Sequence, residues 1–360
     1  MSPKLLLFGA GSLAGEIARS LVAHAQRGAT PALRITIAAR SLVRAASVAS
    51  VAGAHAQALG HSVEIRAIRH DWDDVRRTAE LIDAEAPDLV MHAASLQSAP
   101  MLAAAGRWSR FVGACGYGVT TPLQLVGARH VQQAIAASRR RPDWVNACYP
   151  DLVNTCLATE GPPPLCGIGN VALIAQHVRL QLPAPREAVV QVIAGHAHVA
   201  QFQRARTANE PLPDVRIDGV RLAPERLADL ASLPDGAALN AFNAAEAARL
   251  LWAMLSGQAI RSHAPAPNGL PGGYPIAWDG RHVRVDLPPG VTLEEAITRN
   301  QAALLVDGAM IEGEWVRFAP AASAALRDAA PGLADGFALR RAAEAANEML
   351  QLRQRWEVEP

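Results

Sequence analysis

A strand that ends in Gly-x-Gly and turns straight into a helix is the feature that most constrains this chain. The segment KLLLFGAGSLAGEIARSLVAHA, starting at Lys4, has that order. Lys4 to Phe8 is a short apolar run, the pattern of a buried strand. Gly9 permits a tight turn, and Gly11 lets the backbone come close to a phosphate. Ala14 stands where a third glycine is common. Ser12 and Leu13 fall at the start of the helix, where free N–H groups and the helix dipole favour an anion. The pattern predicts a dinucleotide site at Gly9, Gly11, Ser12 and Leu13.

The alternation continues along the next stretch. Arg34 to Ala39 and Ser62 to Ile68 read as strands, with a helix over Ala45 to Leu59 between them. An amphipathic helix from Asp73 leads to a strand from Asp88 to Ala94. This β-α-β-α-β-α-β order is that of a parallel sheet with helices on both faces. A glycine-rich stretch holding Arg107 and Arg110 follows. A helix from near Pro122 and a strand in DWVNACYPD then complete the sheet domain, taken as residues 1–150.

From Asp151 the character changes. A short helix and the stiff loop EGPPPLCGIGN precede a helix from about Val171 to Leu182. The segment EAVVQVIAGHAHVAQF reads as a strand that runs into His196 and His198. Residues two apart on a strand point to the same side. Hairpins are expected at Asp218-Gly219 and Asp279-Gly280. One helix has Asn243 as a plausible N-cap and Gly257 as its stop, and another is capped by Thr292. The last fifty residues read as further helices. The fold class is therefore α/β, a Rossmann-type doubly wound parallel sheet. An α+β domain follows over 151–360, for substrate binding, catalysis and oligomerisation.

The formal net charge is +1, and the longest basic run is Arg139 to Arg141. Nothing in that balance suggests a nucleic acid or an anionic membrane as partner. No stretch approaches the ~20 apolar residues of a membrane span, and the N-terminal apolar run is too short for a signal peptide. The four cysteines are unevenly spaced, with no CxxC. That fits a reduced, cytoplasmic setting better than a disulfide scaffold. No metal is expected.

The second strand ends AARS, with Arg40, Ser41 and then Arg44. Asp or Glu at that point would bind a ribose 2′-hydroxyl and repel a 2′-phosphate. Arginines and a hydroxyl would hold the phosphate, so NADP is expected over NAD. Ala93, Ala94 and Ser95, ending the fourth strand, should border the cofactor by position.

At Asn146 a resemblance enters. WVNACYPDLVNTCL is similar to the N-x-x-N-P segment of the superfamily of lactate and malate dehydrogenases and family 4 glycoside hydrolases. VIAGHAHVAQF resembles the dehydrogenases' V-I-G-E-H-G, which would pick His196. It resembles equally the glycosidases' A-G-x-N-H-x-x-W-F, which would pick His198. GGYPIAWDGRHVRVDLPPGVTLEEAITRNQAAL is similar to the dehydrogenases' closing segment. HDWDDV and APDLVMHAAS also look like saccharopine-type reductases.

The resemblance implies Asn146 at the nicotinamide, and His196 or His198 as proton donor. Asp151 or Asn170 would orient the histidine. It implies Arg107, Arg110 or Arg179 as the substrate's anchor, and Asn243 on a helix lining its pocket. It further implies a homodimer or homotetramer. Cys166 with the two histidines offers a zinc alternative.

The leading expectation is an NADP-dependent oxidoreductase that reduces a small oxo acid, or a related carbonyl or imine. The alternatives are a glycosidase-like lyase or hydrolase that uses the nicotinamide transiently, an opine-type reductive aminase, and a non-catalytic NADP-binding protein.

Overall fold

The computed structural model describes residues 2–25, 33–97, 102, 106–182, 187–203 and 210–358. Part of the glycine-rich stretch after the fourth strand, residues 98–101 and 103–105, lies outside them. The chain opens with β1 (Lys4–Phe8), α1 (Ser12–Leu21), β2 (Leu33–Ala39), α2 (Leu42–Leu59), β3 (Val63–Arg69), α3 (Val75–Glu85) and β4 (Leu89–His92). Next come α4 (Arg107–Cys115), α5 (Thr121–Ala137), β5 (Asp143–Asn146), α6 (Pro150–Ala158) and β6 (Cys166–Gly167). Among the described residues no helix is long and apolar enough to cross a membrane.

These strands form one parallel sheet in the order β3-β2-β1-β4-β5-β6. The chain winds outward from β1 to β3, then returns to β4 on the other side of β1. That reversal opens a crevice beyond the carboxyl ends of β1 and β4, the usual ligand position of such sheets. The expected β-α alternation is found, and the 150 boundary falls before the sheet's sixth strand. Of that stretch, the described part that holds Arg107 and Arg110 folds as α4.

Residues of β1 point alternately to the two faces, and each face carries its own core. Leu6 and Phe8 pack with α3 to α6 and the C-terminal helix. Leu5 and Leu7 pack with α1, α2 and a long helix of the second half. In α1 the buried residues are Ala14, Ile17, Ala18 and Leu21, a stripe at helical spacing. Each fully buried leucine is worth roughly 1.5–3 kcal/mol.

The second half runs α7 (Val171–Gln181), β7 (Val190–Ile193), α8 (His196–Gln201), β8 (Asp214–Ile217), β9 (Val220–Arg221), α9 (Pro224–Ala228) and α10 (Gly236–Ser256). It continues with β10 (Ile260–Pro265), β11 (Gly273–Trp278), β12 (Val283–Val285), α11 (Leu293–Val306), β13 (Ala309–Glu312) and β14 (Trp315–Phe318). It ends with α12 (Pro320–Ala329), β15 (Phe337–Ala338) and α13 (Ala342–Val358). Among the described residues three small antiparallel sheets result: β7-β8-β9, β10-β11-β12 and β13-β14-β15. Asp218-Gly219 forms the expected tight turn, with Ile217 paired to Val220. Thr292 caps α11 in a reciprocal pair with Glu295.

Three expectations are corrected. The strand before the histidines stops at Ile193, and Gly195 opens α8 instead. Asn243 is not an N-cap, because α10 starts seven residues earlier, after Asp235. The last fifty residues are not all helical: β13 and β14 turn around Gly313, and β15 pairs with β14. Strands this short leave little trace in an alanine-rich sequence.

Candidate active site

The glycine turn sets the site's outer wall. Gly9 has φ +119°, and a Cβ there would sit 2.5 Å from the Ala93 carbonyl oxygen. Gly11 precedes α1 with no side-chain cap, and the space where its Cβ would point is open. The first turn of α1, Ser12 to Ala14, therefore lines a groove. The residues fit a pyrophosphate, whose oxygens need donors and close backbone approach.

Two adjoining hollows form the groove and share Gly11, Arg44, Ala93 and Ser95. The outer one, about 500 Å³, adds Gly9, Arg40, Ser41, Trp72 and Ala94. Its Arg40 guanidinium lies 5.4 Å from the centre of the Trp72 ring. Ser41 caps α2 by accepting the Arg44 N–H at 3.3 Å. The inner hollow, about 650 Å³, adds Ser12, Leu13, Tyr117, Gln124, Tyr149 and Asn240. Ten of the eleven residues expected at the cofactor thus line one groove; Asn146 does not.

Asn146 is fully buried at the end of β5. Its amide donates to the Cys148 carbonyl and to Asn154 Oδ1, at 3.1 and 2.9 Å. Its oxygen accepts the Cys148 N–H at 3.0 Å. All its side-chain bonds stay within the segment, so the side chain shapes the turn into α6 rather than facing a ligand.

The two histidines part company because they sit on a helix. At 100° per residue, positions two apart face nearly opposite ways. His198 turns inward and is buried; its Nδ1 accepts the Gly195 N–H at 2.9 Å. Burial pushes its pKa down to about 4, so it stays neutral. His196 turns outward, with 31% of its side chain exposed. Its Nδ1 bonds Asp307 Oδ2 at 2.9 Å. Its Nε2 makes no bond to the described residues and is open.

Asp307 follows α11 and is the carboxylate that sequence reasoning missed. It also accepts the Tyr149 hydroxyl at 2.8 Å and the Tyr117 N–H at 3.3 Å. The Tyr117 ring lies 4.9 Å from the imidazole, and the Tyr149 ring meets it edge-on at 5.5 Å. Burial pulls the His196 pKa down. The charge and hydrogen bond of Asp307, with Asp151, outweigh that and hold it above 6.5.

Asp151 does not orient the imidazole. Its Oδ1 accepts the His196 backbone N–H at 2.8 Å, which fixes the start of α8. Its other oxygen accepts the Asn170 amide. Burial pushes its carboxyl up to about 6.

The other expected anchors lie elsewhere. Arg107 and Arg110 are exposed on α4 and line a separate hollow with Trp356. Arg107 stacks over the Trp356 ring at 4.7 Å. Arg179 is exposed on α7, beside Glu246, Arg249 and His263. Asn243 faces Gly169, where a Cβ would come within 3.0 Å of its amide nitrogen. Cys166 is buried in β6. Among the described residues no group of three or more His, Cys, Asp or Glu side chains is placed to hold a metal.

No family model and no curated protein sequence matches the chain. Solved structures do. The chain is similar to malate dehydrogenase from Archaeoglobus fulgidus in complex with NADH, at 14% identity and TM-score 0.50; the match covers 84% of this chain and 96% of that one. It is also similar to lactate dehydrogenase from Eimeria maxima with NADH and oxamate, at 12% identity and TM-score 0.53, covering 84% and 91%. For malate dehydrogenase from Plasmodium falciparum the values are 11%, 0.53, 85% and 97%. The chain has the fold of the lactate and malate dehydrogenases: a Rossmann-type sheet followed by an α+β region.

Proposed function

We propose that this chain is an NADP-dependent oxidoreductase. In this reading it reduces a carbonyl or imine of a small molecule, with His196 as proton donor. The observation that carries the reading is one juxtaposition. A histidine–aspartate pair contacts the two tyrosines lining the inner end of a groove that starts at a glycine turn. The similar solved structures named above are lactate and malate dehydrogenases, and two of them hold NADH; these names support a nicotinamide and an oxo-acid-like carbonyl.

A nicotinamide cofactor bound in the groove would supply the hydride. The N–H groups at the start of α1 would take its pyrophosphate. Arg40, Ser41 and Arg44 would take the 2′-phosphate, with two guanidinium forks and a helix N-terminus. His196 keeps a proton on Nδ1 through Asp307, so Nε2 carries the proton that moves. Asp307 stabilises the imidazolium, and the Tyr117 and Tyr149 rings restrict where it can turn. Asn146 and Asp151 act behind the site: one holds the turn into α6, the other the first residue of α8. The four cysteines are free and buried, which supports a cytoplasmic setting. A homo-oligomer is expected, and sedimentation of the purified protein tests it.

The test of the main reading is a fluorescence titration with NADPH and NADH, followed by single-turnover reduction of carbonyl compounds. NADPH should bind the more tightly. R40A and R44A should narrow the gap, and H196N should bind NADPH yet lose turnover. Equal affinity for the two cofactors defeats the NADP assignment. Full turnover by H196N defeats the donor.

A further inference from the structure

The run His70-Asp71-Trp72-Asp73-Asp74 follows β3 and buries a tryptophan among three carboxylates; Trp72 is 2% exposed. The backbone around it is pinned. The His70 N–H donates to the Ala39 carbonyl at 3.0 Å, which ties this turn to the residue before Arg40. The His70 ring bonds the Thr78 hydroxyl at 2.9 Å and packs on Phe8. Asp74 caps α3 by accepting the Arg77 N–H at 3.0 Å.

The indole itself is boxed. The His92 ring meets it edge-on at 6.4 Å, and the His130 ring lies tilted against it at 6.1 Å. Gly127 of α5 leaves the room: a Cβ there would sit 3.2 Å from Trp72 Cζ3 and 3.2 Å from His92 Cε1. Glycine inside a helix is less stable than alanine, and the space it gives the indole is what it contributes here. Burial pushes the His92 pKa down to about 3, so that ring stays neutral and adds no positive charge beside the indole. The carboxylates turn elsewhere. Asp71 accepts the Asp73 N–H at 3.3 Å, and Asp73 lies 3.6 Å from His130 Nδ1. Trp72 lines the outer hollow, and none of the three does.

The indole face carries Arg40, 5.4 Å from the ring centre. A guanidinium over an aromatic face is attracted by the negative side of the ring's quadrupole. Its N–H donors form a planar fork, so contact through the face leaves the fork able to grip a phosphate. A long side chain restricted before a ligand arrives has less freedom to lose on binding it.

We propose that Trp72 is a positioning residue for the 2′-phosphate of the cofactor. It holds the Arg40 guanidinium in the lining of the outer hollow, and through it sets the preference for a 2′-phosphorylated nucleotide. This rests on the NADP reading. Arg44 and Arg353 line the same hollow, so loss of the stack narrows the preference and does not abolish it.

The test is calorimetric titration of the full chain with two fragments that differ by one phosphate, adenosine 2′,5′-bisphosphate and adenosine 5′-monophosphate. Wild type should bind the bisphosphate more tightly. Trp72→Leu should lower that preference about three- to tenfold, the worth of a cation–π contact, with the Kd of the monophosphate unchanged. Trp72→Phe keeps an aromatic face and most of the packing, and should lower it less. In an Arg40→Ala background neither variant should change the preference further, because effects exerted through one shared contact do not add. A loss of affinity for both fragments alike leaves Trp72 a packing role and overturns the proposal. So does a preference unchanged in both variants, or one that falls as far without Arg40 as with it. Where Trp72→Leu fails to fold, Trp72→Phe decides by the same comparisons. Equal affinity of wild type for the two fragments, or binding of neither, overturns the NADP reading and this proposal with it.

Discussion

At the scale of single residues, the pair His196 and His198 shows how one turn of helix divides two identical side chains. One closes the helix start from inside, and the other packs on Tyr117 and Tyr149, which line the groove. H196N should lower reduction by about 10²–10⁴-fold, the usual worth of a positioned acid, while above the His196 pKa the protein melts close to wild type. H198A should do the reverse. It leaves the Gly195 N–H unpaired, which costs about 1–3 kcal/mol, and keeps most turnover per folded molecule. Comparing melting curves with rates separates the two.

The pH dependence follows from the Asp307 contact. The His196 pKa lies above 6.5, and reduction needs the protonated ring. So kcat/KM for reduction should be flat at low pH and fall as pH rises through that raised value. In D307N burial acts without the carboxylate, and the fall should move to lower pH. Stability has the same sign. A folded pKa raised above the unfolded one adds stability that is complete below 6.5 and lost as pH rises through the folded value. Wild type should therefore lose more Tm between pH 6 and 9 than D307N does.

At the scale of elements, the first half was legible and the second only partly so. Buried parallel strands are continuous apolar runs, and the turn at Gly9 needs a residue without a Cβ. Gly9→Ala should cost about 1–3 kcal/mol and weaken NADPH binding, read by thermal melts and titration. A melting point and Kd equal to wild type would remove the turn from the account. The histidine segment misled because VIAGHAH alternates like a strand. Gly195 was the signal, since it ends β7 and starts α8. Asp307 gave no such signal. It lies 111 residues beyond His196, and only the packing of α11 on α8 brings them together. Arg107 and Arg110 read as anchors from the resemblance alone. The chain folds Arg107–Cys115 as a helix, and both arginines on it are exposed.

At the scale of the whole molecule, the C-terminal helix ties the last residues to the groove. Trp356 packs on Phe111 at 5.2 Å and on Trp108 at 6.3 Å. Trp108 donates to Gln97 Oε1 at 2.9 Å, and Arg353 donates to the same oxygen at 3.2 Å and to the Leu96 carbonyl at 3.0 Å. The Gln97 carbonyl in turn accepts from Gln124, which bonds the Tyr117 hydroxyl. Leu350 and Arg353 also line the outer hollow. Helix α13 is thus both a cover for α4 and α5 and one wall of the groove. These two duties separate by mutation. W356A removes buried ring contacts and should cost about 3–5 kcal/mol, with NADPH affinity near normal in the molecules still folded. R353M keeps most of the stem and loses the bonds to Leu96 and Gln97. It should melt within about 1 kcal/mol of wild type but bind NADPH more weakly, because the loop after β4 is no longer tied to α13. Equal NADPH affinity in R353M and wild type would reduce the helix to a cover.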